Sequence, residues 1–324
     1  MSLDSTITGL HHVTAIAGDA QENLDFYVGV LGMRLVKKTV NQDAPDTYHL
    51  FYADGAAHAG TDLTFFPWPG AAPGRIGTGL TVEVALAVPS GSLAYWADRL
   101  EQHGIQPGKP GVRFGERLLT FADPHGLELA LIETSDSREF TPWPRSPVPE
   151  PHQVRGLHGV RLLERSAAAT VDFLRATLGF EEIGQEDGWR RLALPGTRSG
   201  RVLDLKEAPA ERQGTWGTGS VHHIAWRVPD DATELAVQRR LGSAGRRPTE
   251  VVDRFWFKSV YFKEPGGALF EIATDGPGFG VDEALDQLGA RLVLPPWLEP
   301  ERAAIESSLP PLRQPESIAP ASSR

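Results

Sequence analysis

Four times along the chain, a short strand-like apolar run is followed by a helical pattern that stops at a glycine. The runs are GLHHVTAIAGD from Gly9, TVEVALAVP from Thr81, GLHGVRLLER from Gly156 and SVHHIAWRVP from Ser220. After the first, Leu24, Tyr27, Val28 and Leu31 keep the spacing of one helix face, with Asp19 placed to cap the helix and Gly32 to end it. Val171, Leu174 and Leu178 repeat that pattern before Gly179. The second and fourth helices run through Trp96 and Leu100 to Gly104, and through Val237 and Leu241 to Gly245. Runs of strand character follow each helix, among them MRLVKKTV, YHLFYA and SVYFK.

The unit is therefore strand, helix and about three strands, present four times, which is a βαβββ module in an α+β chain. The two halves also end alike, with DPHGLELALIET from Asp123 and EPGGALFEIATD from Glu264. Their offset stays between 140 (Glu83 to His223) and 147 (Gly9 to Gly156) residues. The organisation expected is two modules in 1–135, a proline-rich linker over 136–155, two modules in 156–290 and a tail over 291–324. Five prolines between Pro142 and Pro151 make the linker extended and semi-rigid. A short helix is expected near Glu299 to Ser308, wrapping the body, with disorder in the last ten residues.

Composition narrows the chemistry. Of 324 residues, 40% are hydrophobic and 23% charged, as in a globular protein with room for two domains. A net charge of −10 argues against a dedicated nucleic-acid surface, which needs a basic face. No run approaches the roughly 18 apolar residues of a membrane helix, and the N-terminus lacks the features of a signal peptide, so a cytoplasmic protein is expected. There is no cysteine, so any metal must be held by histidine and carboxylate.

Aligned on the repeats, His12 corresponds to Gly159, His223 to Glu83 and Glu271 to Ala130. Taken singly, a strand histidine is most often a packed or exposed residue, and a glutamate in FEIA a solvent-facing one. Jointly, His12, His223 and Glu271 are drawn from modules one and four at matching points of their strands. The complementary set, Gly159, Glu83 and Ala130, cannot hold a metal, which points to one working site and one vestigial site. Two imidazoles and a carboxylate suit Fe(II), with open positions for substrate and dioxygen; Mn(II) and Zn(II) are also compatible. Because neighbouring strand residues face opposite ways, His222 is expected to pack under the helix with Ile224, Trp226 and Val228, leaving His223 to the polar interior.

These motifs resemble the vicinal oxygen chelate superfamily of glyoxalase, bleomycin-resistance and extradiol dioxygenase proteins, and within it the ring-cleaving dioxygenases acting on hydroquinones. The resemblance covers nearly the whole chain. It rests on GLHHVTAIAGDAQENLDFYVGVLGMRLVKKTVN, YHLFYAD, GVRFGERLLTF, RQGTWGTGSVHHIAWRVPD and EPGGALFEIATD, the opening GLHHVTA with VKKTVN being the most specific part. It implies Fe(II) held by His12, His223 and Glu271, with Arg254, Tyr261 and His11 in supporting catalytic roles. Catechol-cleaving relatives carry a further histidine about 20 residues before the metal glutamate, where this chain has Val251, and take all three ligands from one half. Both differences favour the hydroquinone branch. The expected architecture is two half-closed barrels, one from modules one and four and one from modules two and three. The expected partners are a small aromatic substrate and dioxygen, with no nucleic acid or membrane, and a homo-oligomer left open. A glyoxalase-like lyase or isomerase, and a metal-free binding protein of the same fold, are the alternatives.

Overall fold

The computed structural model describes residues 7–136, 138–196 and 199–315. Module one comprises β1 (Gly9–Ala17), α1 (Ala20–Leu24), β2 (Arg34–Asn41), β3 (Ala44–Ala53) and β4 (Asp62–Pro67). Module two comprises β5 (Leu80–Pro89), α2 (Leu93–Gln102), β6 (Gly111–Arg113), β7 (Glu116–Ala122) and β8 (Glu128–Thr134). Module three comprises β9 (Gly156–Glu164), α3 (Ala168–Phe173), β10 (Glu181–Glu186), β11 (Trp189–Ala193) and β12 (Val202–Glu207). Module four comprises β13 (Val221–Val228), α4 (Asp231–Ser243), β14 (Val252–Asp253), β15 (Lys258–Lys263) and β16 (Leu269–Thr274).

The helix signals act as read. The Asp19 carboxylate accepts from the Glu22 N–H at 2.8 Å, and α1 continues as a π-helical turn over Asp25–Val30 before Gly32. In module three the same π-helical continuation, Leu174–Leu178, ends on Gly179 in the left-handed region that glycine adopts at low cost.

Two eight-stranded sheets result. One runs β14-β15-β16-β13-β1-β4-β3-β2 and the other β10-β11-β12-β9-β5-β8-β7-β6. Modules one and four thus share a sheet through the antiparallel pair β1–β13, and modules two and three through β5–β9. Each sheet curls until its rims meet at hairpin tips. In the first, Gln42 beyond β2 donates to the Arg254 carbonyl beyond β14 at 2.9 Å, and Arg254 pairs with Asp43 at 2.9 Å. In the second, the Phe114 N–H beyond β6 donates to the Glu186 carboxylate at the end of β10.

Alternation gives each sheet two faces. In the first, Val13, Ile224, Trp226, Val260, Phe270 and Ile272 join one apolar core with Leu24, Tyr27 and Val237 from the helices. Burying a side chain of this size contributes roughly 1.5–3 kcal/mol. The opposite, concave face carries His12, His223 and Glu271. The C-terminal segment then crosses module one. Val293 N–H donates to Lys38, Tyr48 Oη donates to the Pro310 carbonyl, and a 3₁₀ turn at Glu299–Glu301 leads into α5 (Arg302–Ser308), where a helix was expected. Of the last ten residues, where disorder was expected, all but Pro315 lie outside those described. No described helix is long and apolar enough to cross a membrane.

Candidate metal centre

The three side chains singled out by the repeat converge. His12 Nε2 lies 3.2 Å from His223 Nε2 and 3.3 Å from Glu271 Oε2, and His223 Nε2 lies 2.9 Å from that same oxygen. All three side chains are almost wholly buried. β13 supplies the connection: Thr14 on β1 faces His223, and Ala225 faces both His12 on β1 and Glu271 on β16. Glu271 Oε2 is buried and no N–H is aimed along a hydrogen bond to it. Donors held about 2.1 Å from a shared ion stand roughly 3 Å apart, as these do, so the residues fit a divalent metal. Burial pushes the Glu271 carboxyl up, but the two imidazoles more than offset this and hold it well below the usual carboxylate range. Among the described residues no other cluster of three or more such groups converges in this way.

Both histidine pairs sit on β-bulges, which strand alternation alone does not predict. The β1–β13 register skips His11 on one strand and His222 on the other. A bulge inserts an unpaired residue and re-aims side chains. His222 therefore does not pack under α4. Its Nδ1 lies 2.8 Å from His223 Nδ1, and its ring stacks on Trp216 with centroids 4.5 Å apart. His11 makes the matching contact, Nδ1 to His12 Nδ1 at 2.9 Å. Burial, with the neighbouring imidazole adding to it, lowers His11 and His222 each to about 3, so both are neutral and able to accept. An Nδ1–H donated backwards fixes the tautomer of His12 and of His223 with the Nε2 lone pair facing the common centre. His11 itself lies behind His12 and does not line the cavity.

The remaining expected residues do line it. Arg254 Nε donates to Tyr261 Oη at 3.3 Å, and Tyr261 faces Glu271 across β15–β16. Burial raises the Tyr261 pKa, keeping the phenol protonated. Ser259 Oγ donates to Glu271 Oε1 at 2.5 Å, which leaves Oε2 turned to the imidazoles. Ser259 shares a strand face with Tyr261, two residues away, and that period was the signal available to find it. Aromatic walls complete the cavity: Phe51, Phe66, Trp256 and Phe257, together with His49. Burial, then the charges of His12 and His223, holds His49 well below its ordinary pKa.

In the second sheet the equivalent positions hold no such centre. Glu83 receives Arg113 on both oxygens, at 2.5 and 3.0 Å, with Arg161 at 3.8 Å. A Cβ on Gly159 would lie 2.8 Å from the Val202 carbonyl oxygen, so no histidine fits there. Arg191 paired with Asp204 at 2.8 Å, and Arg161 stacked over the Trp189 ring at 3.5 Å, occupy the rest.

Comparison with known proteins identifies the family. Residues 9–131 and 156–272 match the model of the Glyoxalase/Bleomycin resistance protein/Dioxygenase superfamily. The chain is 45% identical to the Bacillus subtilis protein named "Putative ring-cleaving dioxygenase MhqO", over 94% of this chain and 96% of that one. It is 33% identical to the chlorohydroquinone/hydroquinone 1,2-dioxygenase of Sphingobium indicum, over 92% and 95%. A crystal structure of a B. subtilis protein described as a putative dioxygenase superposes with a TM-score of 0.92 at 43% identity, covering 96% of this chain and 99% of that one. The repeated modules, the two curled sheets and these matches along almost the entire chain place it in one family: it belongs to the Glyoxalase/Bleomycin resistance protein/Dioxygenase superfamily.

Proposed function

We propose that the chain binds one Fe(II) through His12, His223 and Glu271 and uses dioxygen to cleave a hydroquinone-type ring. The observation that carries this reading is the convergence of three buried donors within 3.3 Å inside an aromatic-lined cavity. Relatives named for ring cleavage and for hydroquinone support the substrate class. Bound there, the metal would lower the pKa of a coordinating phenol and offer open positions to both reactants.

The protein's part is orientation and charge. Phe51 and Phe66 back the His49 ring, while Trp256 and Phe257 offer apolar surface against which a ring is positioned, which supplies the proximity term. His11 and His222 keep His12 and His223 in the metal-binding tautomer, and Ser259 holds the carboxylate. Tyr261 accepts from Arg254, so its own O–H proton is left to donate to oxygen atoms of the ligand, where it stabilises negative charge as it develops.

The test is oxygen uptake by anaerobically purified, Fe(II)-loaded protein given methylhydroquinone, with catechol and the apoprotein as controls. Uptake with methylhydroquinone and a ring-opened product is expected. No uptake by protein that holds stoichiometric iron would end the dioxygenase reading. In the same assay Tyr261→Phe should keep its iron and lose roughly 100-fold in kcat, the scale of one preorganised hydrogen-bond donor. Loss of iron from that variant would show that Tyr261 serves the metal rather than the ring.

A further inference from the structure

His49 is a cavity residue to which neither the repeat nor the family motifs assign a role. It projects from β3, two strands beyond the triad's β13–β1 pair in the sheet order. Its ring is clamped between Phe51 and Phe66, with centroids 4.0 and 4.4 Å away. Its Nε2 is 2.9 Å from Thr64 Oγ1, which is itself 2.7 Å from Thr14 Oγ1. Both threonines are wholly buried, so this chain of polar atoms holds the imidazole in one orientation. Its Nδ1 has no partner among the described residues.

A neutral imidazole with one nitrogen engaged keeps a single function, donor or acceptor, on the other. A hydroxyl can meet either, since it donates and accepts. Position then decides which hydroxyl. Thr64 faces Thr14, which faces His223, so the imidazole docks one strand spacing from the strand of His12 and two from that of His223, roughly 5 and 10 Å along the sheet at about 4.8 Å per strand. A ring with adjacent hydroxyls would place both at the metal end and leave His49 unmatched. A ring with hydroxyls at opposite ends reaches both.

We propose that His49 is a specificity-determining residue whose Nδ1 binds the hydroxyl para to the one at the metal, selecting para-diphenols. This rests on the aromatic-substrate reading above. A site built to pair a hydroxyl discriminates strongly against analogues lacking it, because its own polar group is otherwise stranded.

The experiment is anaerobic calorimetric titration of the Fe(II)-loaded protein with hydroquinone and with phenol, in wild type, His49→Phe and His49→Asn. Wild type should bind hydroquinone at least about tenfold more tightly than phenol. H49F should lose that preference while keeping its iron and its phenol affinity within about twofold, because only the para contact is gone. H49N, whose amide offers a donor and an acceptor near the position of Nδ1, should recover part of it. An unchanged preference in H49F, or none in wild type, overturns the role of His49 while the substrate class stands. If neither ring binds iron-loaded wild type, the aromatic-substrate reading fails and the role of His49 falls with it.

Discussion

His223→Ala should leave a folded protein that no longer retains iron and consumes no oxygen. The imidazole supplies one of three donors, and its loss leaves the Glu271 oxygen facing a single histidine. Changing outer partners of a metal ligand typically costs 10–100-fold in affinity, so removing a ligand should cost at least about 100-fold. Metal content after desalting measures this directly. Added Fe(II) should raise the unfolding temperature of wild type, because a ligand that binds only the folded state stabilises it by mass action, and should leave the variant unmoved. Retention of one equivalent of iron by H223A would remove His223 from the centre. Glu271→Gln provides an independent check, since it removes the charge while preserving the hydrogen-bonding shape.

The largest effect on stability is expected at Lys37, a lysine with no exposed surface. From β2 its ammonium reaches Asp282 at 2.8 Å, Glu283 at 2.5 Å and the Phe279 carbonyl at 3.2 Å. It also lies 5.2 Å from the centre of the Trp256 ring. These contacts pin the segment after β16 over module one, and Trp256 belongs to the cavity wall. Lys37→Met fills the space but leaves the buried Glu283 carboxylate without its cation. Breaking one side of a buried pair costs about 3–5 kcal/mol, whereas replacing both partners is far milder. Urea denaturation should therefore show K37M destabilised by that amount, with K37M/E283Q recovering most of the loss. A K37M midpoint within experimental error of wild type would mean that solvent reaches Glu283 and that the ion pair contributes little.

The centre and the cavity differ in how far they could be read from the chain. His12, His223 and Glu271 were legible because repeats impose equivalent positions, so a residue type that departs from its counterpart stands out. The same comparison marked Gly159, Glu83 and Ala130 as the empty set. The reason the second centre is empty was not legible. It lies in Arg113 and Arg161 arriving from other strands, and in the Val202 carbonyl pressed against Gly159.

The amino-acid pattern by itself determined the four modules, their order and the three converging donors. Each depends on short-range signals, such as strand and helix periodicity, the cap at Asp19 and the stop at Gly179, or on a repeat that preserves position. Only the tertiary structure decided the turn of His222 toward His223, the tautomer-setting contacts and the place of His49. Strand alternation sends His222 to the helix side, but a bulge adds one residue to one strand of a pair, and the partner strand is distant in sequence. His49 lies within YHLFYAD, which assigns it no role, and it reaches the cavity because β3 pairs with β4, where Thr64, backed by Thr14, holds its ring. Closure of the sheet at Gln42 and Arg254 joins residues 212 positions apart. Such contacts follow from packing the whole sheet, which no local stretch of sequence encodes.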